Sequence, residues 1–188
     1  MQVFADKGFD AAPMQEIANL AGVHVPHLSY HFKNKLNLWK AAVNRAFNEF
    51  QEELSGRILN IKDSKDDVRE RQAIRQFIYL MGEQPAFILF MHEEGKRRGD
   101  RMRWLVDTHV RRLFEMSTAF IQQAQLRGLV SNSISPVYFH YILSGAMTFI
   151  FHQAEECRRL SGIVMKNQAN IETHARAVVI ALFGAENH

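Results

Sequence analysis

Apolar residues near the N-terminus recur at helical spacing in two short stretches separated by a glycine. The apolar face of the first stretch consists of Met14, Ile17, Ala18 and Ala21. Gly22 follows directly and predicts the end of this helix, because glycine adopts left-handed backbone conformations without steric cost. Pro26 suits the start of a second helix, and Leu28 and Phe32 lie four residues apart as its buried stripe. The pattern therefore predicts two short helices joined by a tight turn.

Longer apolar periods predict further helices along the rest of the chain. A remnant of a first helix runs from Met1 to about Lys7 and ends at Gly8. The later helices are predicted at approximately 35–58, 67–82, 85–95, 102–127, 135–160 and 171–183. The polar run 61–67 predicts a surface loop and a domain boundary. Because the β-branched residues fall inside helical periods, the sequence predicts an all-α fold without strands.

Composition and charge limit the classes of protein to which the chain can belong. It has 188 residues, of which 47% are hydrophobic, and this content is enough for a real core. A formal net charge of +3 is too small for a polybasic coat, so any DNA binding must use a local patch. The single cysteine, Cys157, excludes an internal disulfide. With no membrane-length apolar run and no signal-peptide pattern, the sequence predicts a cytoplasmic protein with no membrane partner.

The two short helices also carry a recognisable motif. The pattern G-V-x-x-x-x-L-x-x-H-F-x-x-K is filled by Gly22, Val23, Leu28, His31, Phe32 and Lys35. With FADKGFDAA (4–12) and EIANLAGV (16–23) before it, this stretch resembles the TetR/AcrR family of bacterial repressors. The resemblance implies a helix–turn–helix DNA-binding domain at residues 1–45, with a short first helix. It also implies a helical effector-binding and dimerisation domain at residues 46–188.

The resemblance further implies which residues contact double-stranded operator DNA. The implied DNA-binding set is Gln15, Val25, Pro26, His27, Ser29, Tyr30, His31, Lys33 and Lys35. Of these, the first residues of the second helix and Tyr30 face base edges, while His31 and Lys35 contact phosphates. Ser29 stands where the family usually has a tyrosine that contacts phosphate, and Tyr30 replaces it only in part because it lies about 100° further round the helix.

The second domain is predicted to hold a small-molecule effector. Residues 67–160 are rich in aromatic and methionine side chains, which fill irregular spaces. In the resembled family this domain encloses a ligand, so the implied effector is small and largely apolar. The candidates for its polar contacts are His92, His109, His140 and His152. The sequence specifies no effector-binding residue, and it predicts no cofactor, metal or catalytic residue.

The last two predicted helices favour a homodimer. The apolar stripe of the final helix comprises Ile171, His174, Ala175, Val178, Val179 and Leu182, and it is wider than a terminal surface helix should expose. In the preceding helix, Gly145 and Ala146 allow a close helix–helix approach. Because two recognition helices must lie about one DNA turn apart, a dimer is also required by the implied function.

The sequence predicts a ligand-responsive DNA-binding transcriptional regulator, a repressor released from its operator by the effector, and not an enzyme. Two alternatives stay open. The short first helix and Ser29 are compatible with a helical dimeric ligand-binding protein that has lost DNA binding. The runs 92–94 (HEE) and 152–156 (HQAEE) contain groups that a metal-dependent helical enzyme would use. His24, His27 and His31 have the spacing of a metal-chelating helix face.

Overall fold

The computed structural model describes residues 1–61, 68–84 and 86–184, and within these ranges the chain forms eleven α-helices and no strand. The helices are α1 (Gln2–Ala11), α2 (Met14–Leu20), α3 (Val25–Phe32), α4 (Lys35–Leu59), α5 (Val68–Glu83), α6 (Ala86–Gly95), α7 (Asp100–Leu105), α8 (Arg111–Leu126), α9 (Pro136–His152), α10 (Ala154–Ser161) and α11 (Gln168–Phe183). The predicted all-α fold is confirmed. Residues 62–67 of the predicted loop, and Pro85, lie outside the described residues. No described helix has the length and apolar character needed to cross a membrane.

The first three helices pack around the start of α4. Phe4, Leu28, Trp39 and Val43 are all buried in one cluster, to which Phe32 adds a partly buried ring. Gly8 has φ +72° and kinks α1 at the position where the sequence predicted its end, but the helix continues to Ala11. Leu36, one turn before the buried Trp39, is exposed. The long helix α4 therefore carries the helix–turn–helix at its N-terminal end, and the proposed boundary at residues 45 and 46 falls inside it.

A second core lies between α5, α8, α9 and α11. Its buried members include Ile74, Ile78, Phe139, Leu143, Met147, Ile171 and Val179. The apolar stripe of α11 belongs to this core, because Ile171, Ala175, Val178 and Val179 are buried within a single chain. The expectation that this stripe is held for a partner subunit is therefore wrong. Gly82 of α5 allows the contact, since a Cβ there would lie 2.5 Å from Cδ1 of Ile171.

The predicted helix 102–127 contains a π turn at Val106–Val110. The turn carries His109, whose side chain is buried and whose Nε2 lies 2.8 Å from Oδ1 of Asn44 in α4. The imidazole also stacks on Phe47, with ring centroids 4.5 Å apart. One extra residue in the helix thus brings a polar group into the first core, where its hydrogen bond satisfies it.

The predicted helix 135–160 is two helices. Gln153, with φ −100° and ψ 25°, interrupts the helical path between α9 and α10. No residue of α10 is buried. The break turns the charged residues of 155–159 away from the core, where Glu155 pairs with Arg158 and Arg159.

Stability should fall as the pH drops below neutrality. Burial lowers the pKa of His109, and likewise the pKa of His140 and of His174. The unfolded chain, with histidine pKa values of about 6.5, therefore binds more protons than the folded chain just below that pH. We expect the urea midpoint to decrease between pH 7.5 and pH 5.5, and the decrease to be smaller in His109→Gln. An equal decrease in that variant would show that His109 is not one of the groups responsible.

Candidate nucleic-acid interface

The turn between α2 and α3 fixes the geometry of the helix–turn–helix. The Val23 amide donates to the Ala18 carbonyl at 3.0 Å, and the Gly22 amide donates to the Asn19 carbonyl at 3.1 Å. These two bonds form a Schellman motif, which needs the positive φ of +66° found at Gly22. Val23 packs against the first core immediately after the turn. The predicted tight turn is confirmed.

Helix α3 rests on the core by one side and presents the other to solvent. Leu28 is buried, and Val25 and Phe32 are half-buried against the first core. Five members of the predicted DNA-binding set are exposed together: Pro26, His27, Ser29, Tyr30 and His31. Tyr30 is 83% exposed, unusual for so large an aromatic side chain. Val25 therefore differs from its neighbours, because part of its surface is used for packing.

Aromatic rings line the exposed side of α3. The rings of His27 and His31 meet edge to face with centroids 4.5 Å apart, and Tyr30 lies 5.5 Å from His31. The cluster offers hydrogen-bond donors and flat faces at a low formal charge. His24 precedes the helix without a side-chain capping bond. In the described part of the chain, no group of three or more His, Cys, Asp or Glu side chains is arranged to hold a metal ion.

Lys33 lies in a strained turn between α3 and α4. Its φ of +66° is the only positive value at a non-glycine residue in the described ranges. The Asn34 amide donates to the Phe32 carbonyl at 2.8 Å, so Lys33 is the central residue of a rare, positive-φ γ-turn. Asn34 then caps α4 by accepting the Asn37 amide at 2.9 Å. This turn holds the side chain of Lys33 at the exposed end of α3.

Lys33→Gly should raise the free energy of unfolding while weakening DNA binding. Glycine relieves the strain at positive φ, and the net gain after its larger unfolded-state entropy is about 0.5–1 kcal/mol. Lys33→Ala is the matched control, because it removes the same charge but keeps the strain. If Lys33 contacts phosphate, both variants lose the same DNA affinity, and only the glycine variant becomes more stable in thermal unfolding. Equal stability of the two would contradict the strain.

The remaining two predicted residues already have partners within the protein. The Gln15 side-chain amide donates to Oδ1 of Asn19 at 2.9 Å, and both side chains are exposed. Lys35 is half-buried; its Nζ donates to the Asp10 carbonyl at 3.1 Å and lies 5.1 Å from the centroid of the Phe9 ring. Sequence reasoning did not find Phe9 and Asp10 as partners of Lys35, since the residues lie about 25 positions apart along the chain.

Charges around the helix–turn–helix are partly neutralised. Lys7 pairs with Glu16 at 2.5 Å, and Arg45 pairs with Glu49 at 2.6 Å. Lys40 lies 4.9 Å from the centroid of the Trp104 ring. Residues 1–45 hold five Lys or Arg and three Asp or Glu. Lys33 and Lys35, which follow α3 directly, supply positive charge beside its exposed side.

The histidines of the second domain that were candidates for effector contacts have contacts within the protein. Nδ1 of His140 lies 2.9 Å from Oγ of Ser117, and His92 stacks on His152 with centroids 4.5 Å apart. Burial lowers the pKa of His152, and the neighbouring His92 and Lys96 lower it further. His92 and His152, from the two runs considered for an enzyme, thus meet. Glu94 from one of those runs instead binds Arg101.

Aromatic side chains of the second domain pack against each other. Phe87 stacks on Phe50 with centroids 4.2 Å apart and approaches Phe47 at 4.7 Å. Two open clefts, of about 530 and 430 Å³, lie elsewhere and are lined mainly by charged residues such as Glu53 and Arg97. Neither has the apolar lining predicted for the effector chamber.

Comparison with known sequences supports the identification of the first helices. The family model for bacterial regulatory proteins of the tetR family matches residues 1–42. Over 44 residues the chain is 50% identical to the HTH-type transcriptional activator FasR of Mycolicibacterium smegmatis. That segment is 23% of this chain and 20% of FasR, so the similarity spans about a fifth of that relative.

Solved structures share the architecture of the whole chain. AibR, in complex with isovaleryl coenzyme A and operator DNA, superposes with a TM-score of 0.77 at 22% identity, covering 97% of this chain and 93% of AibR. PfmR of Thermus thermophilus, a TetR family transcriptional regulator, gives 0.70 at 16% identity over 100% of this chain and 96% of that one. At these identities, the likeness shows the fold: an N-terminal helix–turn–helix followed by a helical domain.

Proposed function

We propose that the chain is a member of the TetR family of bacterial regulatory proteins and acts as a ligand-responsive, DNA-binding transcriptional regulator in the cytoplasm. The family match over residues 1–42 and the similarity to FasR over 44 residues support this proposal. Residues 1–45 bind operator DNA, and residues 46–188 bind the effector and the partner subunit. The protein represses by occupying the operator and leaves it when the effector binds. In this proposal the protein acts by binding DNA, effector and partner subunit, and it needs neither a catalytic step nor a metal.

The exposed side of α3 carries this proposal. His27 and Tyr30 project from a helix whose opposite side is fixed by Leu28 in the core, so they meet base edges in a constant orientation. Pro26 and the exposed part of Val25 have no donors and contact thymine methyl groups. The phosphate contacts come from Gln15, Ser29, His31, Lys33 and Lys35.

A homodimer delivers two copies of α3 to neighbouring major grooves. Helix α9 exposes one apolar stripe in the single chain, consisting of Val137, Tyr138, Tyr141, Ile142 and Phe149. Gly145 lies within this stripe with open space around the position of a Cβ, so a second helix can approach closely. The outer side of α11 adds the exposed Ala177 and Ile180. These surfaces of the last long helices form a four-helix interface.

The effector is a small, largely apolar molecule. AibR, similar in fold, was solved with isovaleryl coenzyme A, which combines a short branched acyl group with a charged carrier. In this chain the aromatic cluster around Phe50 and Phe87 supplies apolar surface beside α4, the helix that carries α3. An effector that parts these rings favours a conformation whose recognition helices no longer fit the operator spacing.

Operator selection from random DNA, followed by titration of the selected duplex, tests this function. We expect binding that weakens with salt. His31→Ala and Lys35→Ala should each reduce affinity for every duplex, and Lys35→Ala, which removes a charge, should also lower the salt slope by about 1. His27→Ala should instead change the selected sequence, at about 1–3 kcal/mol per lost base contact. A protein that dimerises but shows no salt-dependent DNA binding would favour the ligand-binding alternative. A stoichiometric metal in the purified protein would favour the enzyme.

A further inference from the structure

Charged contacts join the end of α1 to the loop after α6 and to the first turn of α7. The Asp10 carboxylate accepts from the guanidinium of Arg97, and Nη2 of Arg101 lies 3.5 Å from the same carboxylate. The Arg101 guanidinium also stands 4.2 Å from the centroid of the Phe9 ring. Both arginines belong to the proposed effector domain, whereas Phe9 and Asp10 lie in the last turn of α1, shortly before α2. The entrance to the helix–turn–helix is therefore held by charges from the other domain.

The same two residues of α1 also hold Lys35. The Lys35 ammonium donates to the Asp10 backbone carbonyl and lies over the Phe9 ring. An ammonium has three N–H donors, so it can serve this carbonyl and a phosphate oxygen together. Because Lys35 is the first residue of α4, directly after the turn that ends α3, its position is tied to that of the recognition helix.

We infer that Phe9, Asp10, Lys35, Arg97 and Arg101 form an interdomain clasp that positions Lys35 for its phosphate contact. The inference rests on the proposed function, because the phosphate contact is assigned there. Phe9 and Asp10 are positioning residues and act through Lys35. A shift of the segment that carries Arg97, in the loop after α6, and Arg101, in the first turn of α7, moves Asp10 directly. The shift therefore reaches the end of α3 through two contacts. The clasp thus makes DNA affinity depend on residues of the effector domain that never touch DNA.

Asp10→Asn separates the clasp from simple electrostatics, because the two predict opposite signs. Removal of a negative charge from a DNA-binding domain should by itself strengthen DNA binding. Loss of the clasp should instead weaken it by about threefold to tenfold, the range of a coupling through one network. Asp6→Asn is the matched control, since Asp6 is exposed on the same helix and bonds only Gln2 among the contacts described. Both variants are titrated with the selected duplex at several salt concentrations.

A second pair of variants and a second measurement complete the test. Arg97→Gln should weaken binding more than Arg98→Gln, although each removes one exposed positive charge from the same loop. Amide hydrogen exchange of residues 2–11 should be faster in Asp10→Asn than in Asp6→Asn, which reports the contact without DNA. Equal affinities and equal exchange within both pairs would overturn the clasp and leave the proposed function standing. Absence of salt-dependent binding by the unaltered protein would overturn the proposed function and, with it, the positioning of Lys35.

Discussion

Ile142→Glu is expected to convert the protein into a monomer and to weaken operator binding by at least about 100-fold. Ile142 is 53% exposed on α9 and lies one turn from Gly145, at the centre of the proposed interface. Glutamate there places a charge from each subunit beside the other, in a region that association would dehydrate. With one recognition helix per particle, the gain from linking two half-sites, about 10²–10⁴ in affinity, is lost.

Sedimentation and titration of the same sample check this expectation. Gln122→Glu, which adds one charge on the exposed side of α8, is the control and should remain dimeric. The helical circular dichroism should be unchanged in both variants, because neither side chain is part of a core. A variant that stays dimeric would show that the interface lies elsewhere. A monomer that keeps full affinity would contradict recognition by paired helices.

Arg101→Met is expected to lower the free energy of unfolding by about 3–5 kcal/mol. Glu94 is only 2% exposed, and both of its carboxylate oxygens lie 3.2 Å from Nε of Arg101. Removal of the arginine leaves a buried carboxylate without its charge partner, which is among the costliest single changes in a folded protein. Urea unfolding at neutral pH measures the loss.

The double variant Glu94→Gln/Arg101→Met should recover most of this loss, since it removes the buried charge along with its partner. Arg103→Met serves as the control, because Arg103 is exposed and pairs with the exposed Asp100. Its unfolding midpoint should remain close to that of the unaltered protein. If the double variant were as unstable as Arg101→Met alone, the loss would come from packing of the arginine and not from the charge on Glu94.

Local pattern was sufficient to predict the helix–turn–helix. The Gly22 turn, the Leu28 and Phe32 stripe and the start of α4 at Lys35 depend on neighbouring residues, and these short-range features appear as the sequence indicated. The exposure of one side of α3 could also be predicted from the sequence, because the helix has a single apolar stripe and its other positions are mostly polar. The family resemblance added the roles of individual side chains, which remain to be measured.

Other features depended on contacts that periodicity does not encode. The stripe of α11 reads the same whether it faces α5 or a second subunit, and the structure assigns it to α5. Gln153 ends α9 without a glycine or proline, so the break had no local signature. His109 is polar yet buried because Asn44, far away in the chain, accepts its hydrogen bond. Lys35 was expected to contact phosphate, and its bond to the Asp10 carbonyl is a tertiary contact that the local pattern does not encode.

The helical segment from Asp100 to Leu126, which contains the π turn at Val106–Val110, contributes side chains to both hydrophobic cores. A single additional residue shifts the helical phase by about 100°, so Leu105 and Ile121, which a regular α-helix would set about 160° apart, come to lie about 60° apart. Leu105 lies in the interior beneath the DNA-binding helices, whereas Ile121 lies in the interior beside α9. A regular α-helix of the same sequence would place these two side chains on nearly opposite sides. The offset therefore lets one helical segment fill both the core under the helix–turn–helix and the core beside the proposed dimer interface.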